Sequence, residues 1–88
     1  MATYIVTYDL ISPGQNYSAI HEQVKTYAKW ARPTESTWVL VTDRSAKQIR
    51  DHLKSVIDED DRLFVVKSSG EGAWHNTRCS NKWLRDNL

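Results

Sequence analysis

Few residues in this chain carry chemistry, and the first is Asp9. It ends the run Thr3-Tyr4-Ile5-Val6-Thr7-Tyr8-Asp9-Leu10, with Ser12, Pro13 and Gly14 turning the chain just beyond. A carboxylate at a strand end often caps the following turn by accepting an amide two residues on. His75 and Cys79 form a His-x3-Cys pair, but no second pair exists to complete four zinc ligands. The other histidines, His21 and His52, are scattered, and Cys79 reads as a small packing residue or a free thiol. Ser69-Gly70-Glu71-Gly72 lacks the Gly-Lys-Ser/Thr ending of a phosphate-binding loop and follows the last strand, so it reads as a turn.

Two basic stripes come next. Lys47, Arg50 and Lys54 run along one predicted helix, and Lys25, Lys29 and Arg32 lie on or just after another. Either set could track phosphates. A solvated helix surface is the preferred reading, because Asp51 and Asp58 dilute the first stripe. Trp74 and Trp83 read as packing residues, although rings near Arg78 and Arg85 could stack on bases.

These residues must be positioned by one small domain. At 88 residues the chain buries about 60–65% of its unfolded surface. Four Trp, four Tyr and one Phe can reinforce a small core or cover a subunit contact. Twelve basic and eleven acidic side chains nearly cancel, which excludes a protein living by non-specific phosphate attraction. Nucleic-acid contact must then come from local patches. With Cys79 the only cysteine, no internal disulfide forms. No run approaches a membrane span and no leader pattern opens the chain, so a cytoplasmic protein with no membrane partner is expected.

Hydrophobic spacing sets out the elements. In the first strand Tyr4, Val6 and Tyr8 face helices, while Ile5, Thr7 and Asp9 point to the other side. Tyr17, Ile20, Val24, Tyr27 and Ala31 predict a helix capped by Asn16 or Ser18 and stopping near Trp30, before Pro33. Thr37 to Thr42 is a strand with both faces covered. Arg32 to Ser36 could pair with it, but carries no hairpin signal. Ser45 and Gln48 have capping-box spacing, and Ile49, Leu53, Val56 and Ile57 give the second helix its inner face. Asp58 to Asp61 is a turn, Arg62 to Lys67 a strand, Ser68 to Gly72 a break, and Ser80 caps a short tail helix through Trp83 and Leu84. The alternation implies helices on one face of a small sheet. The other face, bearing Ile5, Thr7 and Asp9, is left bare and invites dimerisation.

Two segments, YIVTYDL and ESTWVLVTDRSAKQIRDHLKSVID, resemble the small CRISPR-associated adaptation subunit, the second protein of that system. The first resembles its opening strand, which ends in a metal-binding aspartate. The second resembles its Ser-hydrophobic strand leading into helix two. YDL, the following PG, ESTW and GEGAW at Gly70 to Trp74 bring the whole chain closer to bacterial relatives labelled SinR-like. The virulence-associated protein D ribonucleases share the architecture. The likeness covers residues 3 to about 68 and implies an α+β, ferredoxin-like βαββαβ domain over 1–68, with a second strand near Ala31 to Ser36. Residues 69–88 are then a tail, a short strand or helix, packing on a dimer partner. This chain departs from the family there by adding the Trp83 helix.

The resemblance implies that Asp9 of each protomer faces its mate across a cleft and that the pair holds Mg²⁺ or Mn²⁺. Ser12 and Ser36 would position phosphate or water, and Arg32 would neutralise it; on such a nucleic-acid binder the stripe of Lys47, Arg50 and Lys54, read from the helix itself, would track phosphates. Two expectations follow. One is a homodimeric, metal-dependent endonuclease acting on RNA or DNA through Asp9. The other is a non-catalytic scaffold, toxin–antitoxin component or regulator that captures a protein partner through residues 73–88.

Overall fold

A computed structural model describes residues 1–11 and 17–88. The elements run β1 (Ala2–Asp9), α1 (Tyr17–Val24), β2 (Lys29–Thr34), β3 (Thr37–Thr42), α2 (Ala46–Lys54), β4 (Arg62–Lys67) and α3 (Asn81–Asn87). The strands form one antiparallel sheet in the order β2-β3-β1-β4. Ser12 and the expected cap Asn16 lie outside the described residues.

The period-two pattern of β1 builds the main core. Tyr4, Val6 and Tyr8 are buried with Trp38 and Leu40 of β3, under Ile20 and Val24 of α1 and Ile49 and Leu53 of α2. The Ser45 capping box forms, with the Gln48 amide donating to Oγ of Ser45 and the Ser45 amide donating to Oε1 of Gln48. Ser80 accepts the Trp83 amide and starts α3 in the same manner.

The first helix is shorter than its spacing predicts. It ends at Val24, not near Trp30. The Thr26 and Tyr27 amides bond the Gln23 and Val24 carbonyls three residues back, and the Thr26 hydroxyl donates to the Gln23 carbonyl at 2.6 Å, tightening the chain out of the helix. Tyr27 stays buried, but in the turn, and Ala31 is buried in a strand. β2 is an edge strand, where Pro33 costs no ladder bond, and its register shifts between Ala31 and Thr34. Glu35 and Ser36 make a two-residue turn to β3. Neither has a positive φ, so the turn lacks the Gly or Asn of a primed hairpin. The Arg32 guanidinium instead donates twice to the Glu35 carbonyl, at 2.9 and 2.7 Å.

The second sheet face is not bare, as the sequence suggested, but half covered. Leu84 of α3 is 2% exposed, and Val39, Val41 and Ala31, which point away from α1 and α2, are buried too. The tail makes contacts with the sheet of its own chain. The Ser68 amide donates to the Thr3 carbonyl, the Thr3 hydroxyl to the Asn87 carbonyl, and the Arg78 amide to the Pro33 carbonyl. The β1–β4 half stays open, with Phe64 62% and Val66 43% exposed. Among the described residues, no helix is long and apolar enough to cross a membrane.

Candidate functional site

Asp9 stands at the open corner of the second face. Register places it opposite Arg62, with Thr7 opposite Phe64 and Ile5 opposite Val66. Its side chain is 70% exposed and lies 3.9 Å from Nη1 of Arg62, a loose pair in high dielectric that ties the carboxylate down little. The turn-capping alternative is not realised at the amide two residues on. The Ile11 N–H donates to Oδ1 of Asp61 at 2.9 Å instead.

Among the described residues, the other expected site residues do not converge on Asp9. Ser36 comes nearest, since its carbonyl accepts the Tyr8 amide at 3.3 Å. Arg32 lies on the opposite face, its guanidinium 5.4 Å from the Trp38 ring in the helix-side core. Lys47, Arg50 and Lys54 sit on α2. Arg50 is paired with Asp51 at 2.9 Å, and Arg50 and Lys54 border a groove shared with Asp58, Glu59 and Asp61. That acidic turn offsets the stripe. Among the described residues, no group of three His, Cys, Asp or Glu side chains could hold a metal. Among the described residues, Asp9 is the one strongly exposed carboxylate at that corner.

Spacing alone did not reveal two polar networks. Tyr8 OH accepts the Trp38 indole N–H at 3.2 Å and meets Nε2 of His21 at 3.1 Å. Burial, then Arg32, Lys25 and Arg78, pushes the His21 pKa down. In the second network His52 bridges the helices. Its Nε2 is 2.8 Å from Oε1 of Gln23, which makes it the donor. Nδ1 is then the acceptor, 2.8 Å from Tyr27 OH and 3.1 Å from Nη1 of Arg44. Burial, then Arg44, lowers the His52 pKa. With its partners satisfied, this network clamps α1 to α2. The sequence signal for His21 was its place one turn after Tyr17 and three residues before Val24, on the inner stripe of α1.

A third cluster forms where β2 meets the tail. Trp30, Arg32, Arg78 and Trp83 line an open groove of about 350 Å³. Lys25 Nζ lies 5.4 Å over the Trp30 ring, and Trp30 packs on Trp38 at 5.7 Å. No protein-family model matches the chain.

Proposed function

We propose that the chain is a ferredoxin-like protein of the kind the small CRISPR adaptation subunit represents, working as a homodimer that cleaves RNA or DNA with a divalent cation. The βαββαβ order and the antiparallel sheet β2-β3-β1-β4 support the assignment of class. The observation that carries the functional reading is the setting of Asp9. It is an exposed carboxylate on the half-face left open by the tail, beside exposed Phe64 and Val66 on an edge strand. An exposed apolar edge strand is a ready template for a second copy. Two chains meeting there supply two Asp9 carboxylates, hard oxygen donors suited to Mg²⁺ or Mn²⁺. Such an ion, when bound, activates water and offsets charge on a phosphodiester. Arg62 stands beside the carboxylate, placed to take a phosphate oxygen.

A second reading rests on Arg62 as well. A two-fold axis along the strands, between β1 and β4, would lay Asp9 over the partner's Arg62 and Thr7 over the partner's Phe64. This strip is self-complementary in charge, as an isologous interface requires. The carboxylate is then used in ion pairs, and the protein is a scaffold, a toxin–antitoxin component or a regulator.

Light scattering and divalent-dependent cleavage of labelled RNA and DNA, run on wild type, Asp9→Asn and Arg62→Ala, separate the two. The nuclease reading expects Asp9→Asn to remain dimeric and lose cleavage. Cleavage absent from wild type, with dimerisation weakened by either substitution, selects the second. Equal cleavage by wild type and Asp9→Asn retires Asp9 as a catalytic residue.

A further inference from the structure

We propose that the groove between β2 and the tail binds a short single-stranded nucleic-acid segment, stacking bases on Trp30 and Trp83 and taking phosphates on Arg78, Lys25 and Lys29. This site is separate from Asp9 and does not depend on the reading given to it.

The fold brings the groove together from three distant stretches. Lys25 follows α1, Trp30 and Arg32 come from β2, and Arg78 and Trp83 come from the tail. Trp30 offers a platform over which the Lys25 ammonium lies, 5.4 Å from the ring centroid, so that a stacking base would take that place and meet the ammonium with its phosphate. Trp30 is 40% exposed, while its other surroundings include the buried ring of Trp38, which is held in turn by its bond to Tyr8. A ring fixed by packing loses little freedom when a base stacks on it. Trp83, half-buried, forms the opposite wall.

The charge around these rings is one-sided. Among the described residues, Lys25, Lys29, Arg32 and Arg78 have no carboxylate within ion-pair distance. Asp86 of α3 is close enough to be influenced by Lys29 and Arg85, but Lys82 holds it at 2.6 Å. Lys25, Arg32 and Arg78 together disfavour protonation of His21, an independent sign that the three cations are gathered. The whole chain is nearly neutral, at +1, so this excess is a local feature, balanced by the acidic turn at Asp58 to Asp61. Interleaved aromatic faces and unpaired cations fit the alternation of base and phosphate along an unpaired strand. A duplex keeps its base faces stacked and unavailable to Trp30.

Arg78 is anchored for this task. Its backbone N–H donates to the Pro33 carbonyl at 2.9 Å, which fixes the tail to the bulged edge of β2 and leaves the guanidinium exposed. Arg32 has a positioning role, because two of its N–H groups are spent on the Glu35 carbonyl.

The test is fluorescence anisotropy of the full chain with labelled oligo-uridine and oligo-thymidine of about ten nucleotides. Saturable binding is expected, with log K against log salt falling at a slope of roughly −1.4 to −2.1, that is, two or three phosphates for a single strand. Arg78→Glu should weaken binding at least about tenfold and flatten the slope by about 0.7 or more. Trp30→Ala should weaken it by roughly fivefold to a hundredfold without changing the slope, and Trp30→Tyr should restore most of it. The Tyr variant keeps the platform, so misfolding of Trp30→Ala leaves the question decidable. Lys67→Glu, an exposed residue at the end of β4 on the far edge of the sheet from β2, should bind as wild type does. No saturable binding to either oligomer, or affinity indifferent to both Arg78→Glu and Trp30→Ala, overturns the proposal. Tighter binding of a poly-glutamate peptide with the same dependence on Arg78 and Trp30 also overturns it, reassigning the groove to an acidic protein segment.

Discussion

Leu84→Ala measures how firmly the tail holds to its own sheet. Leu84 is 2% exposed and shares an open cavity of about 370 Å³ with Ile5, Val39, Trp74 and Leu88. Removing a buried leucine side chain typically costs about 2–5 kcal/mol, through lost transfer energy and the void left behind. Because the adjoining cavity is open to solvent and the tail can settle into it, the lower end applies, about 2–3 kcal/mol. For a domain of this length each kcal/mol moves the melting point by about 4–8 °C, so Tm should fall by roughly 10–20 °C. Thermal unfolding followed by circular dichroism gives the number, and hydrogen exchange locates it. The Arg78 and Ser68 amides, bonded to Pro33 and Thr3, should lose protection first. The loss should be the same at every protein concentration. A Tm within a few degrees of wild type, with both amides still protected, would refute the packing argument. A loss that grows on dilution would mean that the tail holds a partner chain, since stability gained by association depends on concentration.

Ser45→Ala removes the cap of α2, and with it the side-chain half of a reciprocal pair; chemical denaturation should show a loss of about 1 kcal/mol with an unchanged m-value. Acid should destabilise the fold through both networks. The His52 and His21 pKa values are lowered below their ordinary 6.5, so the unfolded chain binds more protons; the stability is intact above about 6.5 and declines as pH falls below it. Denaturant midpoints measured from neutral to mildly acid pH should drop accordingly. The double substitution His21→Gln and His52→Gln should flatten that profile, and an equally steep profile in the double variant would assign the acid sensitivity to other groups.

Where local chemistry decides the structure, the sequence was informative. The alternation of Tyr4, Val6 and Tyr8, the β-branched run at Thr37 to Thr42, and the Ser45–Gln48 and Ser80–Trp83 caps each correspond to an observed element. The stretch from Lys25 to Ser36 was not readable in this way. Tyr27 and Ala31 continue a helical spacing by position, yet each is buried for a different reason, one beneath Arg44 and His52 and the other against the tail-covered face. Pro33 looks like a terminator, and on an edge strand it is not one. The hairpin turn is held by a side chain three residues back, a device without a dipeptide signature. Site residues follow the same division. The face carrying Asp9 was readable from the period of β1, whereas its neighbour Arg62 depends on the register between strands more than fifty residues apart. Likewise nothing in the spacing of Trp30, Arg78 and Trp83 indicates that they meet.

The tail shapes both of the surfaces for which a role is proposed. By covering Val39 and Ala31 it divides a sheet face that would otherwise be uniformly apolar, confining the exposed part to β1 and β4 around Asp9. By bonding its Arg78 amide to the edge of β2 it also brings Trp83 and a guanidinium to the Trp30 ring. Deleting residues 73–88 is therefore a poor way to test a partner role. It strips Leu84 from the sheet, exposes Val39 and Ala31, and enlarges the apolar surface next to Phe64, so the shortened chain would associate through a patch that the full chain keeps covered. Point substitutions avoid this confusion because the two surfaces are on different elements. Arg78→Glu changes the groove and leaves Leu84 seated, while Asp9→Asn changes the open corner and leaves the groove intact. If the two sites are independent, their effects on nucleic-acid binding and on self-association should add in the double variant, as expected for positions that share no partners. A large departure from additivity would mean that the strand bound at β2 reaches across to the β4 edge, joining the two surfaces into one site.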